Sequence, residues 1–396
     1  MSRHFAFVSM PAHGHINPTL PLVAELVGRG HRVSYATGAS MLEAVRSAGA
    51  EPVEAPFVLP EGPPQFSGST PPDPEDIRRR MQSFVNSVEQ TYPVLVEHFG
   101  EDLPDAFCGD AMSPVTGLVA QKLDRPLVAL NPSFASNEHV SLMNNMGDSP
   151  GARAAKAAFA GLGEQIDAFA RSHGLSFGST MLASPGELNL VFIPREFQLA
   201  ADTFDDSFVF LGPSVGGRTG SDWQPRDPDA PLLLISLGTV FNARPEFFRL
   251  CAQAFGGSRW QVLMAVGDRI DPADLGDLPA NVEVRAHVPQ VQVLARADAF
   301  VTHNGMNSTM EALYFGVPQV GVPQMPEQTM NATRTEELGC GRRIDPATLD
   351  AAALVAAVEA VSTDPQVRRN CDRMRERLQA ADGPATGADA LEKLVG

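Results

Sequence analysis

His4-Phe-Ala-Phe-Val-Ser-Met10, Pro18-Thr-Leu-Pro-Leu-Val-Ala-Glu-Leu-Val27 and His31-Arg-Val-Ser-Tyr-Ala36 follow one another at the start of the chain, and their reading decides the fold. The first is a short apolar run with the length of a strand. The second has the length and apolar spacing of a helix and is closed by Gly28-Arg-Gly30; the third carries the β-branched and aromatic residues of a second strand. Pro18 and Pro21 fall in or near the first helical turn, where a missing N–H costs least. The same unit recurs: Asp105–Gly109 reads as a strand, Val115–Lys122 as a helix and Pro126–Leu130 as a strand. Glu187–Ile193 and Phe208–Leu211 read as the last strands of the first half. Strands and helices in this alternation predict a mainly parallel, doubly wound α/β sheet.

Between Gly212 and Ala230 the text turns rich in Gly, Pro, Ser and Asp, as a linker does. The alternation then restarts, with strands expected at Leu232–Leu237, Gln261–Val266, Val282–Val284, Asp298–Thr302 and Pro318–Val322. A chain of 396 residues, at roughly 150 per domain, has room for two such domains. We divide it into residues 1–214, a linker at 215–230, residues 231–375, and a closing helical tail at 376–396 that is interrupted at Gly383-Pro384.

Composition removes several classes of function. Thirty Lys and Arg against 47 Asp and Glu leave a net charge of −17, which repels nucleic-acid phosphate and anionic lipid. The charge-free stretch Phe5–Ala24 is broken by His13, His15, Asn17 and three prolines, so it reads neither as a leader nor as a membrane span. Cys108, Cys251, Cys340 and Cys371 are scattered without a CxxC pair, which suits a reducing cytoplasm and neither a disulfide scaffold nor a zinc site.

Two places carry chemistry. His13-Gly-His15-Ile-Asn-Pro18 lies where the first strand passes into the first helix, and ligands of doubly wound sheets bind at such carboxyl ends. A histidine there can take a proton from a hydroxyl near neutral pH; a turn histidine bonded to backbone is the plain alternative. No carboxylate or Cys is spaced to complete a metal site with the pair, and the G-x-G-x-x-G fingerprint of nicotinamide and flavin folds is absent from this turn. In the second half, Phe300-Val-Thr-His303-Asn-Gly305-Met-Asn307-Ser308-Thr-Met-Glu311 runs from a strand end into a helix. Unpaired N–H groups and the helix dipole make such a turn an anion site. Ser308 and Glu311 also fit a capping box. Ser236-Leu-Gly238-Thr239 adds a second glycine turn able to approach a phosphate closely.

Those residues resemble the two-Rossmann-domain (GT-B) glycosyltransferases, the family of plant UDP-sugar transferases and bacterial macrolide glycosyltransferases. The similarity rests on His287-Val288-Pro-Gln290, His303-Asn-Gly305-Met-Asn307-Ser308, Glu311, Gly316-Val-Pro318 and Glu327-Gln328, on the amino-terminal Gly14-His15-Ile-Asn-Pro18, and on the whole length of the chain. It implies two Rossmann-like domains facing across a cleft that closes on the linker, with the tail crossing back to the first domain. It further implies inverting, metal-independent sugar transfer from a UDP-sugar co-substrate. His15, not His13, is then the general base and Asp110 its orienting carboxylate, an arrangement that follows triad logic. The donor would be held by Thr239, His287, Val288, Gln290, His303, Gly305, Asn307, Ser308, Glu311, Glu327 and Gln328. The acceptor, a lipophilic small molecule such as a macrolide or polyphenol, would meet Phe57, Phe84, Phe134, Met143 and Met146; the loop of the last three fits ordinary packing as well.

The chain departs from the family at two points. His287 stands where many relatives have Trp, which weakens stacking on the base, and Glu327 replaces Asp, which bears on the sugar; glucose remains the favoured donor sugar. Glu311 favours a nucleotide with both ribose hydroxyls, hence UDP over thymidine diphosphate. A sugar-nucleotide epimerase and a non-catalytic small-molecule-binding protein share this architecture. The first would form product without an acceptor, and the second would be expected to lack His15 or Asp110.

Overall fold

Strand β1 (His4–Val8) is buried on both faces. Phe5 and Phe7 enter one core with Leu22, Leu26 and Val33, while Ala6 and Val8 enter another with Val85, Leu95 and Phe107. That pattern belongs to a parallel strand covered by helices on each side. The computed structural model describes residues 1–58, 74–145, 150–177, 186–215, 223–240 and 242–396. Among these the chain forms two compact units: residues up to Ser214 together with Ala381–Gly396, and Val215–Ala380.

The first unit is built on β1, β2 (Arg32–Thr37), β3 (Glu51–Glu54), β4 (Ala106–Asp110), β5 (Leu127–Asn131), β6 (Leu188–Val191) and β7 (Phe208–Phe210). All pair in parallel, in the order β3-β2-β1-β4-β5-β6-β7. The second unit repeats the plan with β8 (Leu232–Ser236), β9 (Gln261–Ala265), β10 (Val282–Arg285), β11 (Ala299–Thr302), β12 (Gln319–Gly321) and β13 (Gly341–Arg343). Its parallel order is β10-β9-β8-β11-β12-β13. Leu233 and Ile235 pack under Phe248, Phe255 and Val358, whereas Leu232 and Leu234 pack under Leu294 and Ala312. The expected doubly wound α/β architecture is thus present twice. Each sheet has its point of reversal between its first and fourth strands, β1/β4 and β8/β11, where a crevice opens at the carboxyl ends.

One local difference from the sequence reading has a physical cause. The edge strands β3 and β13 escaped it, because Glu51-Pro-Val-Glu54 buries only Val53 and Gly341-Arg-Arg343 buries nothing fully. An edge strand has one neighbour, so it tolerates Pro52 and needs no continuous apolar run. The expected first helix runs Leu20–Gly28 and is preceded by a single helical turn at His13–Ile16. The tail is interrupted where expected, with Pro365–Ala380 in the second unit and Gly383–Val395 in the first.

That last helix is part of the first unit's core. Ala388 and Leu391 are fully buried beside Leu22, Leu26 and Leu211. Gly383 allows the approach, since a Cβ there would lie 2.5 Å from the Leu211 carbonyl oxygen. Arg29 clamps the exposed side, reaching Asp389 at 2.5 Å and Glu392 at 3.2 Å, and Glu392 also meets His31 at 2.9 Å. Among the described residues no helix is long and apolar enough to cross a membrane, and the four cysteines are buried free thiols. Leu391→Ala is expected to cost about 2–5 kcal/mol in urea unfolding. A loss below ~1 kcal/mol would mean that the tail helix is not part of this core.

Candidate active site

His15 follows β1 and Asp110 closes β4, so the topology brings them to the reversal point of the first sheet. The turn His13–Ile16 separates the two histidines by about 200° around its axis, so one can face the strand ends only if the other faces away. His13 is exposed. His15 turns inward, and its Nδ1 lies 2.5 Å from Asp110 Oδ2. The carboxylate is buried, and its Oδ1 accepts a hydrogen bond of 2.9 Å from the Met112 N–H. Gly109 lets the helix Val115–Lys122 pack against this strand end, because a Cβ there would lie 2.4 Å from Thr116. A carboxylate so fixed holds the imidazole in one tautomer and stabilises its protonated form, leaving Nε2 to accept a proton.

A cavity of about 100 Å3 in the first unit is walled by Met10, Phe57, Val58, Phe84, Ser87, Val88, Ser113 and Val115, of which Met10 and Ser113 come just after β1 and β4. Phe57 and Phe84 are thus brought together on one cavity. Met10, Val88 and Val115 were not foreseen; the signal for Met10 and Ser113 was their place just past the ends of β1 and β4. Phe134 instead stacks at 5.5 Å on the buried Phe197, outside that cavity's walls. Met143 lies in the short helix Leu142–Asn145, and Met146 lies outside the described residues.

In the second unit, Gly238 follows β8 and His303 follows β11, again at the reversal point. The imidazole is wedged between two glycines: a Cβ at Gly238 would lie 2.5 Å from its Cε1, and one at Gly305 2.5 Å from its Nε2. Burial pushes the His303 pKa down to about 4, against a smaller opposing effect of a hydrogen bond with the Ser236 backbone. It is thus neutral at pH 7, with its one N–H donated to the Ser236 carbonyl. Gly305 is the N-cap of the helix Met306–Phe315 and no side chain caps it, so the first-turn N–H groups are turned toward the crevice.

The capping-box reading of Ser308 and Glu311 is corrected here. The helix begins two residues earlier, at Met306, so both residues lie inside it. Gln290 occupies them instead, donating from Nε2 to Glu311 Oε2 at 2.7 Å and to Ser308 Oγ at 3.1 Å. This links the helix Gln290–Leu294 to the anion turn and fixes the buried Glu311 carboxylate. Asn307 is half-buried on the same first turn. His287 is exposed, its Nε2 2.7 Å from Asp268 Oδ1, a partner the sequence did not suggest. Val288 packs against the core under β8 and β11. Thr239 is exposed on a loop whose carbonyls at 239 and 240 accept from Arg269, while Asn242 donates to the Gly238 carbonyl at 2.9 Å. Glu327 and Gln328 open the helix Pro326–Glu337, and Gln328 Oε1 accepts from the Gln324 N–H at 2.8 Å. Among the described residues no three His, Cys, Asp or Glu side chains group as a metal site would.

Comparison with known proteins agrees with this geometry. Residues 260–394 match the family described as erythromycin biosynthesis protein CIII-like, C-terminal domain. The chain is 39% identical to the NDP-glycosyltransferase YjiC of Bacillus licheniformis, over 99% of this chain and 98% of that one. It is 36% identical to the demethyllactenocin mycarosyltransferase of Streptomyces fradiae, over 99% and 86% respectively. Among solved structures it is similar to CalG4, the calicheamicin glycosyltransferase, with a TM-score of 0.83, 36% identity, and coverage of 99% of this chain and 98% of the other. The chain belongs to the GT-B glycosyltransferases, close to the macrolide glycosyltransferases, and is an enzyme of that family.

The neutral state of His303 has a consequence for stability. Between pH 6.5 and about 4 the unfolded chain binds a proton on this residue that the native state refuses, so acidification through that window destabilises the fold. Urea unfolding from pH 7 to pH 4 is expected to show a shallower loss for His303→Gln than for the wild type. Equal slopes would show that the ring is not held neutral.

Proposed function

We propose that this enzyme transfers a hexose, with glucose favoured, from a UDP-sugar to a hydroxyl of a lipophilic small molecule, with inversion and without a metal. The observation that carries the reading is the His15–Asp110 contact of 2.5 Å at the reversal point of the first sheet. In the transfer, the acceptor oxygen forms a bond to the anomeric carbon while the bond from that carbon to the UDP oxygen breaks. The acceptor's proton passes to His15 Nε2, and Asp110 stabilises the imidazolium. The electron pair leaves on the diphosphate. The uncapped first turn of Met306–Phe315 supplies donors where that charge grows, the role a metal would otherwise fill, and His303 packs behind that turn.

UDP is preferred over thymidine diphosphate because Glu311, fixed by Gln290, is suited to accept from two ribose hydroxyls. Glu327 and Gln328 meet the sugar, His287 the base. Residues 1–214 take the acceptor and residues 231–375 the donor. The apolar cavity of the first unit supports a lipophilic acceptor, as do the relatives named demethyllactenocin mycarosyltransferase and oleandomycin glycosyltransferase. Four buried free thiols fit work in a reducing cytoplasm.

His15→Ala is expected to lower kcat by about 10²–10⁴-fold while UDP binding by calorimetry stays within about twofold. Asp110→Asn should reduce turnover far more than donor affinity, and His13→Ala should be mild. The assay is mass spectrometry of enzyme, UDP-glucose, a chelator and a panel of macrolides and polyphenols. Substantial transfer by His15→Ala would overturn the base assignment, and transfer abolished by the chelator would overturn metal independence.

A further inference from the structure

Behind the donor turn lies a layer of buried polar side chains that the transfer chemistry does not use. Asn304, between His303 and Gly305, has φ of 57° and is fully buried. A left-handed conformation is strained for residues other than glycine, and asparagine tolerates it best. Its N–H donates to Thr302 Oγ1 at 3.1 Å, and its Nδ2 donates to Gln319 Oε1 at 3.0 Å and to Thr309 Oγ1 at 3.3 Å. Gln319 in turn donates to the Thr309 carbonyl at 3.2 Å. The amide side chain of Asn304 also lies flat on β12, since a Cβ at Gly321 would be 2.1 Å from its Oδ1. Together these bonds hold the sharp reversal from β11 into Met306–Phe315.

One bond of this layer leads elsewhere. Asn331 Nδ2 donates to the Asn304 carbonyl at 2.8 Å. Asn331 is fully buried on the helix Pro326–Glu337, and Thr335 Oγ1 donates to its carbonyl at 2.8 Å. It stands four residues after Glu327 and three after Gln328, on the same helical face. The residue that bonds to the phosphate-facing turn is therefore one helical turn from the pair placed at the sugar.

We propose that Asn304 and Asn331 are positioning residues for sugar discrimination: their bond sets the register of the sugar-facing helix against the phosphate-facing turn. The inference rests on the donor reading given above. A diphosphate held by the turn and a hexose read by the helix are parts of one rigid ligand, so a slip between the two elements misaligns the sugar's hydroxyls while the nucleotide stays bound. A buried amide bonded to a buried carbonyl resists such a slip, because breaking it leaves both groups unsatisfied.

The test compares kcat/KM for UDP-glucose with that for its 4-epimer UDP-galactose, together with UDP affinity by calorimetry, in the wild type, Asn331→Ala and Asn331→Leu. Both variants remove the donor to the Asn304 carbonyl, and Asn331→Leu is close to asparagine in size, so it repeats the test without a cavity should Asn331→Ala not fold. The expected result is a fall of about tenfold in the ratio between the two sugars, with UDP affinity changed less than threefold. A purely structural role would lower the melting temperature and leave the ratio alone. A ratio within twofold of the wild type in a folded variant overturns the proposal. Absence of UDP binding by the wild type overturns the donor reading on which it rests.

Discussion

Both sheets are buried on their two faces, and from that constraint the placement of the chemistry follows. A parallel strand covered above and below has no polar face, so reactive groups are confined to the loops at its ends. Phe5, Phe7, Ala6 and Val8 leave β1 no room for a functional side chain, and Leu232–Ile235 do the same for β8. The chain can then expose chemistry only where neighbouring strands diverge. His15 and Asp110 lie at one such place, Gly238 and His303 at the other.

The two places solve opposite electrostatic problems. At the first, a buried carboxylate is matched to a single imidazole nitrogen, the contact on which the proposed base rests. At the second, burial strips His303 of its charge and its one N–H is engaged with the Ser236 backbone, so the uncapped first turn of Met306–Phe315 is the source of positive potential. Fixed dipoles of this kind need no reorganisation when negative charge develops. Two glycines make that arrangement possible, because any side chain at 238 or 305 would occupy the space of the ring.

Buried polar groups are costly when unpaired, and the second unit commits several of them to one short reversal. Asn304, Gln319 and Asn331 bond to one another's surroundings and not to solvent. Gln290 does the same for Ser308 and Glu311. Side chains whose amide N–H groups are committed in this way define a single geometry for a turn that apolar packing alone would leave loose.

Much of this was legible in the sequence for a simple reason: the signals were local. Strand-helix-strand alternation, glycine turns and the His-x-Gly-x-Asn-Ser run each depend on neighbours in the chain, and they identified both sheets and the two turns, while the choice of His15 over His13 came from the family likeness. Edge strands β3 and β13 were not legible because one-sided pairing asks little of composition. The capping box failed because the same Ser308 and Glu311 spacing serves a helix start or a helix interior, and only Gln290, 18 and 21 residues away, distinguishes them. The partnership of Asp110 with His15, the wedge of His303 between Gly238 and Gly305, and the bond from Asn331 to Asn304 all join segments far apart in the chain. The family likeness named Asp110 in advance, but its contact at 2.5 Å exists only once β4 is laid beside β1. The order of residues determined which elements form and where chemistry could stand; the strand order of the folded sheets decided which side chains meet.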